Sequence, residues 1–170
     1  ILFCGGNMFR RATAGGDRAA ALIPFGDIVM FDYPGYGETP GEATLANFRH
    51  AGRAVAEYVA RTAAAEGREV LAWGHSLGGP VCTEATRLIN VDMLVIEAST
   101  PTARAAVNDD LGLMRPFVRV TIDPGLDSFD IVQSLSGYSG RVLVLEAGRD
   151  ETLPPALSRD MARDLAAEGV

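Results

Sequence analysis

Residues 70–79 read VLAWGHSLGG, and the fold turns on how this stretch is read. Val70–Trp73 is an unbroken apolar run that meets Gly74-His75-Ser76-Leu77-Gly78. Short runs of this kind suit a strand covered on both faces. The spacing after Ser76 predicts a helix over Leu77–Leu88. A serine therefore stands at the turn between a buried strand and a helix, with a glycine two residues to either side.

Working outward, four more short apolar runs read as strands: Ile1–Phe3, Ile28–Phe31, Met93–Ile96 and Val142–Leu145. Amphipathic stretches lie between them. Thr44–Glu66 carries Leu45, Phe48, Val55, Tyr58 and Val59 at helical spacing and stops at Gly67. Pro155–Ala167 puts Leu157, Met161 and Leu165 on one face, and Arg18–Ile23 is a shorter helical candidate. Alternation of strand and helix predicts a doubly wound, mostly parallel α/β sheet, read as one domain over 1–170. The stretch 100–138, with Pro101, Pro116, Pro124 and Gly125, is the least regular and reads as a short insertion or lid-like segment.

Composition narrows the function. The formal net charge of −7 argues against nucleic acid or an anionic membrane as partner, since both reward a basic surface. No apolar run reaches the roughly 20 residues of a membrane span. The opening ILFCGG has no basic start or cleavage site, and a cytoplasmic location is expected; the sequence does not begin with Met, so a signal in an earlier segment stays open. All cationic side chains are Arg. Cys4 and Cys82 lie in apolar surroundings and are expected as free buried thiols. No Cys/His cluster has metal spacing, and no cofactor is implied.

Open parallel sheets bind ligands beyond the carboxyl ends of their strands. Four loops leave such ends: CGGN (4–7), DYPGYGETPG (32–41), GHSLGG (74–79) and EAGRDETLPP (146–155). Gly-x-Ser-x-Gly between strand and helix is the pattern of a nucleophile elbow, a tight turn that exposes the hydroxyl. The helix N-terminus behind it favours developing negative charge.

Three of these motifs together resemble the α/β-hydrolase superfamily, in particular lid-poor serine hydrolases of esterase or thioesterase type. GHSLGG is similar to their elbow, MFDYPGYGETPG to the loop after the matching strand, and VLVLEAGRDETLPP to their acid segment. The resemblance implies an α/β-hydrolase fold, cut short at both ends, with strand order second, first, third, fourth, fifth. It implies Ser76 as nucleophile and Asp150 as the acid that orients the base. The backbone N–H groups of Leu77 and Asn7 would hold the oxyanion, such donors being worth about 3–4 kcal/mol each. Glu97, ending the fourth strand, is the reserve acid. Asp32 is read as structural, tying down its own glycine turn. Leu113, Met114, Phe117, Leu126 and Phe129 are candidates for an acyl-binding wall. The implied substrate is a small acyl compound; no oligomeric state is implied.

The base is the missing part. His75 adjoins Ser76 and is expected to point away through the turn, and His50 lies in a helix that flanks the sheet. In the superfamily the order is Ser, acid, His. The catalytic histidine is therefore expected beyond Val170, after one more strand, and the 170 residues read as part of a longer enzyme. A different class of function also fits: a binding protein on the same fold that lacks the base. A nucleotide-binding α/β domain is disfavoured, because CGGN is not G-x-G-x-x-G and no loop ends in Gly-Lys-Ser/Thr.

Overall fold

The computed structural model describes residues 1–116, 118–122, 124–148 and 153–170. Five strands form one sheet: β1 Leu2–Cys4, β2 Val29–Met30, β3 Leu71–His75, β4 Met93–Glu97 and β5 Arg141–Leu145. Their order is β2-β1-β3-β4-β5 and every pairing is parallel. This is the expected order, with winding reversed between β1 and β3. The helices are α1 Arg11–Leu22, α2 Leu45–Glu66, α3 Gly78–Ala85, α4 Ala103–Leu111, α5 Pro124–Asp127, α6 Ile131–Ser134 and α7 Pro155–Ala167.

Register explains which side chains share a face. Leu2, Ala72, Leu94 and Val142 align across the sheet, as do Phe3, Trp73, Val95 and Leu143. Leu2, Ala72, Leu94 and Ile96 join Phe48, Ala56 and Val59 of α2, Val81 and Ala85 of α3, and Met161 and Leu165 of α7 in one buried core. Each fully buried Leu or Phe there contributes roughly 1.5–3 kcal/mol. On the opposite face Phe3 lies edge-on to Phe9, and Arg18 of α1 stacks its guanidinium over the Phe3 ring. Among the described residues β5 pairs with β4 alone, and Leu143 on it is 41% exposed.

α2 begins where Thr44 accepts a hydrogen bond from the Asn47 amide, and ends where Gly67 turns left-handed at φ 64°. α1 starts at Arg11, earlier than the Arg18–Ile23 expected. Its first amide donates to Asp32 Oδ1 at 2.6 Å. The Asp32 carboxylate, expected to tie down its own glycine turn, does lie against Gly37 of that turn, and it holds α1 as well.

Two further readings are corrected. Cys4 and Cys82 are not free thiols; they are joined in a disulfide, with Cα atoms 6.1 Å apart. The apolar surroundings that suggested thiols suit a buried disulfide equally. The stretch 100–138 is more regular than expected, holding α4, α5 and α6. Thr102 caps α4 by accepting from the Ala105 amide, and Asp130 caps α6 by accepting from the Gln133 amide. Thr102 and Asp130 also form an antiparallel bridge, so the segment leaves and returns at one place.

Candidate active site

β3 delivers Ser76 to the carboxyl edge of the sheet, and α3 begins two residues later. Ser76 has φ 52°, the left-handed region that costs a side-chain-bearing residue of order 1–3 kcal/mol. Its amide donates to the Glu97 carbonyl at 2.9 Å. Its carbonyl accepts from the Gly79 amide and from the Ser99 hydroxyl, each at 2.9 Å. Ser99 is buried, and its own carbonyl accepts from Ser158 of α7 at 3.3 Å. Sequence reading passed over Ser99, although it lies two residues past the end of β4.

The flanking glycines are required by packing. A methyl group on Gly74 would collide with the Gly78 carbonyl, and one on Gly78 with the Cys4 carbonyl. The turn is thereby pressed onto the end of β1.

Strain gathers around the serine. Met8, Ser76 and Ala98 are the only non-glycine residues at positive φ among the described residues. They follow β1, β3 and β4, three adjacent strands, and all three line one open cleft of about 530 Å³. Gly6, Asn7, Phe9, Ala14, His75 and Leu153 complete its walls. Clustering of unfavourable backbone at one spot marks functional sites in general.

Asn7 lies in the turn after β1, closed by the Phe9 amide donating to the Gly6 carbonyl at 3.1 Å. A Cβ on Gly6 would stand 2.9 Å from His75 Nδ1 and 3.2 Å from Ser76 Cβ, so this turn touches the elbow. Leu77 caps α3 in αR conformation. Among the described residues, no backbone carbonyl accepts from the N–H of Asn7 or Leu77.

A second cavity of about 180 Å³ opens on the other side of Ser76. Leu77, Pro80, Ser99, Thr100, Ala103, Leu126, Phe129 and Leu153 line it, and its surface is mostly apolar. Of the five residues expected in an acyl wall, Leu126 and Phe129 are here. Met114 is exposed, and Phe117 and the Leu113 side chain lie outside the described residues. Arg49 of α2 pins this wall. Its guanidinium sits 4.1 Å over the Phe129 ring, donates to Ser128 Oγ at 2.8 Å and pairs with Glu84 at 2.8 Å.

Asp150 lies outside the described residues. The carboxylate of Glu97, the reserve acid, accepts from Arg18 at 2.8 and 3.1 Å and from Trp73 Nε1 at 2.7 Å. His50 is exposed on α2, while His75 borders the cleft beside Gly6. Among the described residues no cluster could hold a metal ion, and no helix is long and apolar enough to cross a membrane. A different cleft, of about 320 Å³, lies at the amino ends of the strands. There Arg68 is already paired with Asp27 and Glu66, and open parallel sheets bind their ligands at the other end.

A five-stranded parallel sheet with a strained serine at its carboxyl edge defines a class, and comparison with known proteins agrees. The model of the alpha/beta hydrolase family matches residues 6–169, and the chain belongs to that family. Two proteins of Mycobacterium tuberculosis, "Uncharacterized protein MT2364" (strain CDC 1551 / Oshkosh) and "Uncharacterized protein Rv2307c" (strain ATCC 25618 / H37Rv), are each 27% identical to it over 159 residues. The match covers 93% of this chain and 54% of theirs, so the chain spans about half the length of these curated relatives. Among solved structures, the monoacylglycerol lipase of Paleococcus ferrophilus superposes with a TM-score of 0.64 at 20% identity, covering 96% of this chain and 79% of that one. An esterase from Exiguobacterium antarcticum does so at 0.62 and 14%, covering 97% and 79%. At these identities the likeness carries the fold, and the hydrolase class rests on the family.

Proposed function

We propose that the protein is a serine hydrolase that cleaves an ester, thioester or activated amide through an acyl-enzyme on Ser76. The observation that carries this reading is the left-handed backbone of Ser76 at a strand–helix turn, between a turn after β1 and a small apolar cavity. Ser76 Oγ attacks the acyl carbonyl and its proton passes to a histidine. The carbonyl oxygen, now negative, is held by the N–H groups of Leu77 and Asn7. The leaving group departs with the proton, and water then releases the acid by the same route.

Asp150 orients the histidine in this scheme. We assign the base to a histidine beyond Val170, in keeping with a chain about half the length of its relatives. His50 is exposed on α2, and His75 packs against the Gly6 turn. We also propose a cytoplasmic location. Disulfides are uncommon in reducing compartments, so the Cys4–Cys82 bond counts against this location; cell fractionation tests it, and recovery of the protein from an export compartment would overturn it.

The apolar cavity is the place for the acyl chain. Its walls are mostly apolar, which suits an acyl chain rather than a polar group. The test is hydrolysis of p-nitrophenyl esters of increasing chain length by the full-length protein. The expected result is turnover of these esters, and a loss of about a thousandfold or more in Ser76→Ala. Turnover equal in wild type and Ser76→Ala would refute the assignment. A full-length protein inert toward every ester would favour the binding-protein reading.

A further inference from the structure

Tyr33 and Tyr36, in the loop after β2, have no part in the mechanism above. Both rings are buried, yet both hydroxyls reach out of the loop. Tyr33 donates to the Gly5 carbonyl at 3.2 Å. Tyr36 donates to Asn7 Oδ1 at 2.6 Å. Gly5 and Asn7 bracket Gly6, the residue that presses against His75 and Ser76.

The turn they grip has little hold on itself. Its one internal backbone bond is Phe9 to Gly6, and Met8 within it is left-handed at φ 58°. The gripping loop is firmly held. The Tyr33 ring packs on Phe48 of α2 with centroids 4.6 Å apart, and Tyr36 lies edge-on to Phe48 at 5.3 Å. The Gly35 amide donates to the Thr39 carbonyl, and Asp32 anchors the start of α1. Burial raises the Tyr33 phenol well above its usual pKa, so it remains a donor throughout the working range. Phenylalanine at either position would keep the ring packing and lose only the tether.

We propose that Tyr33 and Tyr36 are positioning residues that set the distance between the Asn7 N–H and Ser76, with the Asn7 side chain serving as the handle that Tyr36 holds. The inference rests on the reading of the Asn7 N–H as an oxyanion donor. The DYPGYG loop thereby fixes a donor that it does not itself supply. Donors must meet the oxyanion within a few tenths of an ångström, and loss of a whole donor costs about 10²–10³ in kcat. A donor that is present but loosened should cost less, about tenfold.

The experiment uses the full-length protein with Tyr36→Phe, Asn7→Ala and both together. It measures kcat and KM on a p-nitrophenyl ester, the rate of fluorophosphonate labelling, and the melting temperature. Each single change should lower kcat and the labelling rate about tenfold, with KM unchanged and the protein fully folded at the assay temperature. The double variant should be no slower than the slower single variant, because both changes cut one tether. Tyr33→Phe should show the same loss of kcat at unchanged KM. The inference is overturned if Tyr36→Phe keeps kcat within about twofold, if the double variant multiplies the two losses, or if lost kcat merely tracks lost folded fraction. If wild type itself is not labelled at Ser76, the hydrolase reading fails and takes the inference with it. If wild type is labelled and Tyr36→Phe is silent, the inference alone fails.

Discussion

Gly78, the first residue of α3, lies so close to the carbonyl of Cys4, the last residue of β1, that no Cβ fits between them. The elbow is thus braced on the strand that leads to Asn7, and the Cys4–Cys82 disulfide joins the same two elements. Gly78→Ala must push backbone against backbone. It should cost about 3 kcal/mol, at the upper end for overpacking, in urea unfolding. Gly16, in α1, leaves open space within 4 Å of where a methyl would stand, and Gly16→Ala should instead add about 0.5–1 kcal/mol. Equal effects at the two sites would contradict the packing described.

Tyr33 makes stability depend on alkaline pH. Burial, with the neighbouring Tyr36 adding to it, raises its pKa in the folded protein. The unfolded chain releases this proton near pH 10 while the folded protein keeps it. The stabilisation is therefore complete below about pH 10 and is lost as pH rises further, by at most about 1.4 kcal/mol per pH unit for one proton. Urea midpoints measured between about pH 9 and 11 should fall more steeply in wild type than in Tyr33→Phe. Parallel slopes would show that Tyr33 ionises normally.

Much of this was legible from local pattern. The five apolar runs are the five strands, and Pro155–Ala167 is α7 residue for residue. The elbow is legible because its glycines recur at a fixed spacing around the serine, although only Gly74 answers to a local neighbour and Gly78 answers to Cys4 on β1. What escaped depends on approach between distant residues. Cys4 and Cys82 meet because α3 docks on β1 across a separation of 78 residues. Ser99 reaches the elbow only through the β3–β4 pairing, and Tyr36 reaches Asn7 only through the β1–β2 pairing. The helices in 100–138 did leave a signal. Asp130 and Gln133 have capping-box spacing, which the surrounding prolines obscured.

Asp150 and Glu97 are separable by experiment. With Asp150 as the orienting acid, Asp150→Asn in the full-length protein should lower kcat by about 10⁴, the cost of a wrongly held imidazole. Glu97→Gln breaks bonds to Arg18 and Trp73 that hold α1 on the sheet, so it should lower the melting temperature while leaving kcat within about tenfold. The reverse pattern, with Glu97→Gln inactive and Asp150→Asn active, would exchange their roles.

The most direct measurement is the mass of the full-length protein after treatment with a fluorophosphonate, followed by peptide mapping. The account predicts a single adduct on the peptide that contains Ser76, and none in Ser76→Ala, whose melting temperature stays close to that of wild type. An adduct on another residue, or unchanged labelling in Ser76→Ala, would contradict it.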